Sequence, residues 1–80
     1  MKIPAIKKAA ETYSLEQLRE AEAALYEEQQ PSISVDGADE GEVLTHVLAA
    51  IWIKEEMEKS GNDLNTCLRA YTQRVRNSIS

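Results

Sequence analysis

The chain has no phenylalanine and only one cysteine, one tryptophan, one histidine and two prolines among its 80 residues. Each scarcity excludes something. One cysteine closes no internal disulfide, so the fold does not depend on an oxidising compartment. One histidine argues against a catalytic zinc centre, which takes three protein ligands. Three glycines, none in a glycine-rich run, give no loop that cradles phosphate. Long hydrophobic runs are missing as well. The longest apolar-rich stretch, Val43 to Ile53, contains Thr45 and His46 and falls far short of the roughly 20 apolar residues that span a membrane. Charge appears at Lys2 and returns at Lys7 and Lys8, leaving no apolar core for a secretory leader. Positive charge is outnumbered, 9 Lys and Arg against 14 Asp and Glu, for a net charge of −5. No basic stripe interleaved with aromatics is present, so binding to nucleic acid is not expected. The expectation is a soluble cytoplasmic protein with no membrane association.

What is present suits a small folded domain. Seven Leu, six Ile and four Val put the large aliphatics just above the level of about 20% below which disorder is the better expectation. A chain this short buries roughly 60–65% of its unfolded surface in one core, so residues 1–80 form one domain. Doubly wound sheets and barrels need far more chain.

Helical spacing and caps divide the sequence. Residues 4–12 read as a short helix with Pro4 at its first position, and Ile3, Ile6, Ala10 and Tyr13 on one side. Ser14-Leu15-Glu16-Gln17 has the spacing of a capping box, with Tyr13 and Leu18 at the positions of a hydrophobic staple. The second helix is predicted to reach about Gln30, where Pro31 stops it. Its inner stripe is Leu15, Leu18, Ala21, Leu25 and Tyr26, with Glu16, Glu20 and Glu27 facing water. Residues 31–38 alternate Ile33 and Val35 with serine. They read as an extended loop pinned to the helices, or as a strand that pairs with its copy in a dimer. Asp39 and Glu42 open a third helix at capping-box spacing, and Gly61 closes it. Asp63 caps a fourth, running through Leu64, Leu68, Tyr71, Val75 and Ile79. The predicted fold is all-α: a small four-helix, bundle-like domain, one short N-terminal helix and three longer ones, with helix three central.

Helix three carries two apolar stripes. Val43, Leu44, Val47, Leu48 and Ile51 form the main one, with Trp52 at its edge. His46, Ala50, Ile53 and Met57 form a second, and Thr45, Glu42 and Glu56 mark a polar strip. Either the other helices cover both stripes, or the His46, Ala50, Ile53 and Met57 side stays open as an interface for another chain. Charge is segregated too. Residues 11–45 hold ten acids and only Arg19, whereas helix four holds Arg69, Arg74 and Arg76 against Asp63. An acidic surface of this kind suits a basic partner.

Sites of chemistry are few. Glu42 and His46 lie four apart, so both can face one metal or small ligand, with Trp52 beside them; two ligands are too few for a metal centre. Asp36 to Gly41 imitates the start of a calcium loop, but Val47 stands where the bidentate Glu is required. Cys67 has only His46 as a possible base and no third orienting group, so it reads as a buried structural thiol. The size and acidity suggest acyl carrier proteins, but the Asp-Ser-Leu attachment motif is absent. No cofactor, metal or catalytic residue is expected.

DGADEGEVLTHVLAAIWI at Asp36–Ile53, RAYTQRVRNSI at Arg69–Ile79 and KIPAIKK at Lys2–Lys8 resemble a family of small uncharacterised bacterial proteins of unknown function, found mainly among Bacteroidetes. The resemblance covers nearly the whole chain and brings no activity or site residues. The expected function is a non-enzymatic protein–protein interaction module that self-associates, as a homodimer or with another protein. The alternative is a small-ligand or metal-binding protein using Glu42 and His46.

Overall fold

The computed structural model describes residues 2–79, with side chains through residue 77. It holds four helices, α1 (Ile3–Thr12), α2 (Leu15–Tyr26), α3 (Glu40–Ser60) and α4 (Leu64–Ile79), and among the described residues no strand. Ile79 closes α4, and its side chain lies outside the described residues.

Local chemistry sets most boundaries. Ser14 Oγ accepts from the Gln17 N–H at 3.1 Å and Gln17 Oε1 accepts from the Ser14 N–H at 2.9 Å, so the capping box at α2 is complete. Asp39 Oδ1 accepts from the Glu42 N–H at 2.8 Å. Glu42 reaches one residue further than a capping box requires, to the Ala38 N–H. Asp63 Oδ1 accepts from the Thr66 N–H at 2.8 Å. Gly61 ends α3 at φ 75°, and its N–H reaches the Met57 carbonyl at 3.0 Å. That left-handed turn costs glycine nothing. Pro4 is the second helical residue rather than the first, because α1 begins at Ile3.

The end of α2 departs from expectation. The helix stops at Tyr26, four residues before Gln30, and Pro31 is not its terminator. The Glu28 N–H bonds the Leu25 carbonyl at 3.1 Å and the Gln29 N–H bonds the Ala24 carbonyl at 2.8 Å, a Schellman turn with Glu28 in the left-handed position at φ 57°. Glu27 and Glu28 would also face the negative end of the helix dipole if α2 went on. A non-glycine residue there costs about 1–2 kcal/mol. Glu28→Gly is therefore expected to raise unfolding stability by about 1 kcal/mol, read as a higher urea midpoint at unchanged slope. A lower midpoint would show that the turn is not strained.

α3 touches each of the other helices, and among the described residues the only other helix pair in contact is α1 with α4. Helix three is central, as expected. The Lys2 N–H meets His46 and Lys54 Nζ meets the Ala10 carbonyl, so α1 runs parallel to α3 in constant register. Ser60 meets Cys67 while Trp52 meets Tyr71, and Arg19 meets Glu55 while Leu25 lines one depression with Val43; α4 and α2 therefore run antiparallel to α3, and among the described residues they do not touch each other. The result is a front layer of α2, α3 and α4, backed by α1 and the 31–38 loop. The overall extents of 31 × 28 × 18 Å fit two layers.

This arrangement corrects the expected interface. His46, Ala50 and Ile53 are completely buried, and Met57 is half-buried against the same core. The stripe is internal because it faces α1, held there by the Lys2–His46 and Lys54–Ala10 bonds, and the small Ala5, Ala9 and Ala10 of α1 are buried as Ala50 is. The main stripe is instead divided: Val47 is buried while Leu48 is 37% exposed. Two other expected core positions also lie outward, Ile3 at 37% and Tyr26 at 63% exposed.

The loop is an extended segment held by side chains. The Tyr13 hydroxyl donates to the Ser34 carbonyl at 2.9 Å and accepts from the Ser34 N–H at 3.2 Å, serving both backbone groups as a neighbouring strand would. Ile33 and Val35 pack on the core. Gly37 lies so close to α3 that a Cβ there would stand 2.6 Å from Val43 Cγ2.

Candidate functional site

The expected ligand-contact residues are Glu42, His46 and Trp52, and the structure gives each a different task. The His46 ring is buried between α3, the start of α1 and the loop. Its Nε2 accepts from the Lys2 N–H at 2.9 Å, and its Nδ1 lies 2.6 Å from the Asp36 carbonyl oxygen. A backbone N–H can only donate and a carbonyl can only accept. The ring is therefore neutral with its proton on Nδ1, and the lone pair that would bind a metal is already used.

Glu42 Oε1 accepts from the Ala38 N–H at 2.8 Å. That bond holds its carboxyl below the ordinary value, against a smaller opposite push from burial. Hydrogen bonds from the Thr66 hydroxyl and N–H hold Asp63 down in the same way. Both carboxylates are more acidic folded than unfolded. Their contribution to stability is therefore present above the unfolded values, 4.5 and 3.8, and is lost as pH falls through the lower folded ones. The urea midpoint is expected to drop below about pH 4.5, and Glu42→Gln should lower the midpoint at pH 7 while flattening that decline. Parallel pH profiles for wild type and variant would refute this.

Trp52 is not part of the same cluster. Its ring tilts against Tyr71 with centroids 5.6 Å apart, and the Arg74 guanidinium carbon stands 5.8 Å from its centroid, a cation–π distance. Six residues separate it from His46, which turns it about 120° around α3. Burial against this neighbourhood raises the Tyr71 hydroxyl above its ordinary value. Cys67 is buried, with Ser60 Oγ 4.0 Å from its sulfur. Among the described residues no group of three or more His, Cys, Asp or Glu is placed to hold a metal ion, and no helix is long and apolar enough to cross a membrane.

The front layer offers a different feature. Arg19 Nη2 and Glu55 Oε2 are 2.6 Å apart across α2 and α3. Seven residues is two helical turns, which returns each helix to the same side. The same step of seven leads from Arg19 to Tyr26 on α2 and from Glu55 back to Leu48 on α3. Among the described residues these are two of the three large apolar side chains that are exposed, and half-buried Leu44 is the next turn of α3.

A family of unknown function, DUF6952, matches residues 1–80. The chain belongs to the DUF6952 family. Neither a curated protein nor a solved structure matches it. Membership assigns no role to any residue, so the DUF6952 domain has to be read from its own geometry. Its candidate site is exposed Tyr26 and Leu48 with half-buried Leu44 on the front layer, rather than the Glu42 and His46 pair. The sequence holds one signal for it, the equal seven-residue steps 19 to 26 and 48 to 55, which has meaning only once α2 and α3 are known to be antiparallel neighbours.

Proposed function

We propose that the protein is a non-enzymatic interaction module that pairs with a second copy of itself through the front face of α3. The observation that supports this is that Tyr26 and Leu48 are both exposed, with half-buried Leu44 one turn from Leu48, on two helices that pack together. Scattered exposed apolar residues need no explanation, but grouped ones mark interaction surfaces. The broad face of the molecule measures 31 × 28 Å, enough for the roughly 800 Å² per partner of a standard interface. The same reading puts the protein in the cytoplasm of bacteria, mainly Bacteroidetes, where a lone buried thiol such as Cys67 stays reduced. A ligand or metal on Glu42 and His46 has less behind it, since both side chains already serve backbone groups.

Sedimentation equilibrium over a wide concentration range tests the proposal. The wild type is expected to approach twice its 9.0 kDa mass, and Leu48→Glu to stay monomeric with unchanged helix content. A wild type that remains monomeric at millimolar concentration, or a Leu48→Glu variant that still dimerises, would overturn it.

A further inference from the structure

The loop that leads into α3 has one edge closed and one edge open. Ser34 and Asp36 turn their backbone groups inward: both groups of Ser34 bond the Tyr13 hydroxyl, and the Asp36 carbonyl bonds His46 Nδ1. Val35 and Gly37 turn the other way round. Val35 packs its side chain on the core, and a Cβ on Gly37 would meet Val43. Both alternations have a period of two, so residues 34–37 run in the extended form of a strand that has no second strand beside it. In that form the backbone groups of successive residues leave by opposite edges. The N–H and C=O of Val35 and Gly37 therefore leave by the edge away from Tyr13 and His46, and among the described residues none of them meets a hydrogen-bond partner. A cleft of about 320 Å³ lies between this loop, the end of α2 and the start of α3. Ile33, Ser34 and Val35 line it and Tyr13 does not; Tyr13 lines a separate small hollow with Ser34, Val35 and Asp36. The cleft thus borders the open edge.

We propose that this edge and its cleft bind an extended, basic segment of another protein, which adds itself as a strand. Main-chain bonds to Val35 and Gly37 supply the affinity, and the cleft selects the side chains. Leu25 and Val43 give the cleft apolar surface beside Ile33 and Val35. Its charge is of one sign: Glu28, Asp39 and Glu40 line it, and no Lys or Arg does. The negative end of the α2 dipole points the same way. An incoming strand that alternates an aliphatic residue with Lys or Arg meets both kinds of surface. A second copy of this loop is a poor occupant. Closed two-fold pairing uses the same patch twice, which would set these acids against each other. The inference goes beyond the proposed self-association and asks nothing of Leu48.

The probe is a capped hexapeptide that alternates valine and lysine, titrated into the nitrogen-labelled protein and followed by the backbone amide resonances. The Val35 and Gly37 amides are expected to shift and to saturate together. The same peptide with glutamate in place of lysine should bind roughly tenfold more weakly or worse. Methylating every peptide nitrogen keeps the side chains and removes the strand's donors, and should abolish the shifts. Glu28→Gln with Glu40→Gln should weaken the lysine peptide roughly tenfold and flatten its salt dependence, with helix content unchanged by circular dichroism. Silent Val35 and Gly37 amides at millimolar peptide would overturn the proposal, as would a methylated peptide that binds as tightly as its parent. A glutamate peptide that binds equally well would remove the basic occupant. Amide shifts at Val35 and Gly37 that grow with protein concentration alone would make a second copy the occupant and refute the reading; the mass measurement on Leu48→Glu is decided separately.

Discussion

Ile53→Glu is expected to give a chain without a cooperative unfolding transition. Ile53 is completely buried in the core that also contains Ile6, Ala10 and Leu68. Among the described residues no buried side-chain nitrogen or oxygen is left without a partner. The substitution removes an aliphatic side chain, worth roughly 2–5 kcal/mol with the cavity it leaves. It also forces the carboxyl either to be buried as a charge or to take a proton, at several further kcal/mol. An 80-residue domain has about 4–12 kcal/mol to lose. Circular dichroism during urea titration should show a sloping baseline in place of a transition. A variant with a wild-type midpoint would return Ile53 to the surface, and with it the reading in which His46, Ala50, Ile53 and Met57 meet another chain. Leu48→Glu is the matched control: the same charge enters α3 five residues earlier, on the open side, and folding should survive.

The contrast between these two positions shows what the sequence carried and what it did not. Caps are local, so Ser14 with Gln17, Asp39, Gly61 and Asp63 could all be read from spacing, and each is where spacing placed it. The end of α2 could not, because it depends on Glu28 accepting a left-handed conformation that its residue type does not favour. Centrality of helix three was legible from apolar residues on most of its circumference. Which part of that circumference stays open was not legible. The buried positions run from Ala49 through Ile53, His46 and Ala50 to Val47 and Ile51, about 200° of arc, and periodicity gives no sign of where the short helix α1 will lie against them. Leu48 and Ile53 are equally apolar; only the position of α1 behind α3 tells them apart. The Tyr26 and Leu48 strip adds a second requirement, the register of α2 on α3, fixed across 36 residues by an exposed ion pair that itself contributes no more than about 1 kcal/mol.

His46 presents the opposite case, a residue whose chemistry was noticed and whose role is structural. Its spacing from Glu42 was legible, but its partners are the Lys2 N–H and the Asp36 carbonyl, backbone groups that no side-chain pattern announces. One ring thereby ties the start of α1, the end of the loop and the middle of α3. His46→Phe keeps most of the volume and loses both bonds, stranding a donor and an acceptor at a part-buried junction. The expected cost is about 2–4 kcal/mol, since each unmet buried group costs about 1–3. His46→Gln keeps an acceptor and a donor on one amide and should cost less, about 1–2 kcal/mol. The order matters more than the size, because a purely steric role would rank phenylalanine as the better substitute. A nitrogen spectrum of the ring provides the independent check. It should show Nδ1 protonated and Nε2 bare at neutral pH; the reverse assignment would remove the Lys2 bond and with it the reason for the ranking. If His46→Phe does prove the worse of the two, α1 is held against α3 by a backbone-directed polar bond as well as by its alanines, and the side of α3 left open is set by where that bond can form.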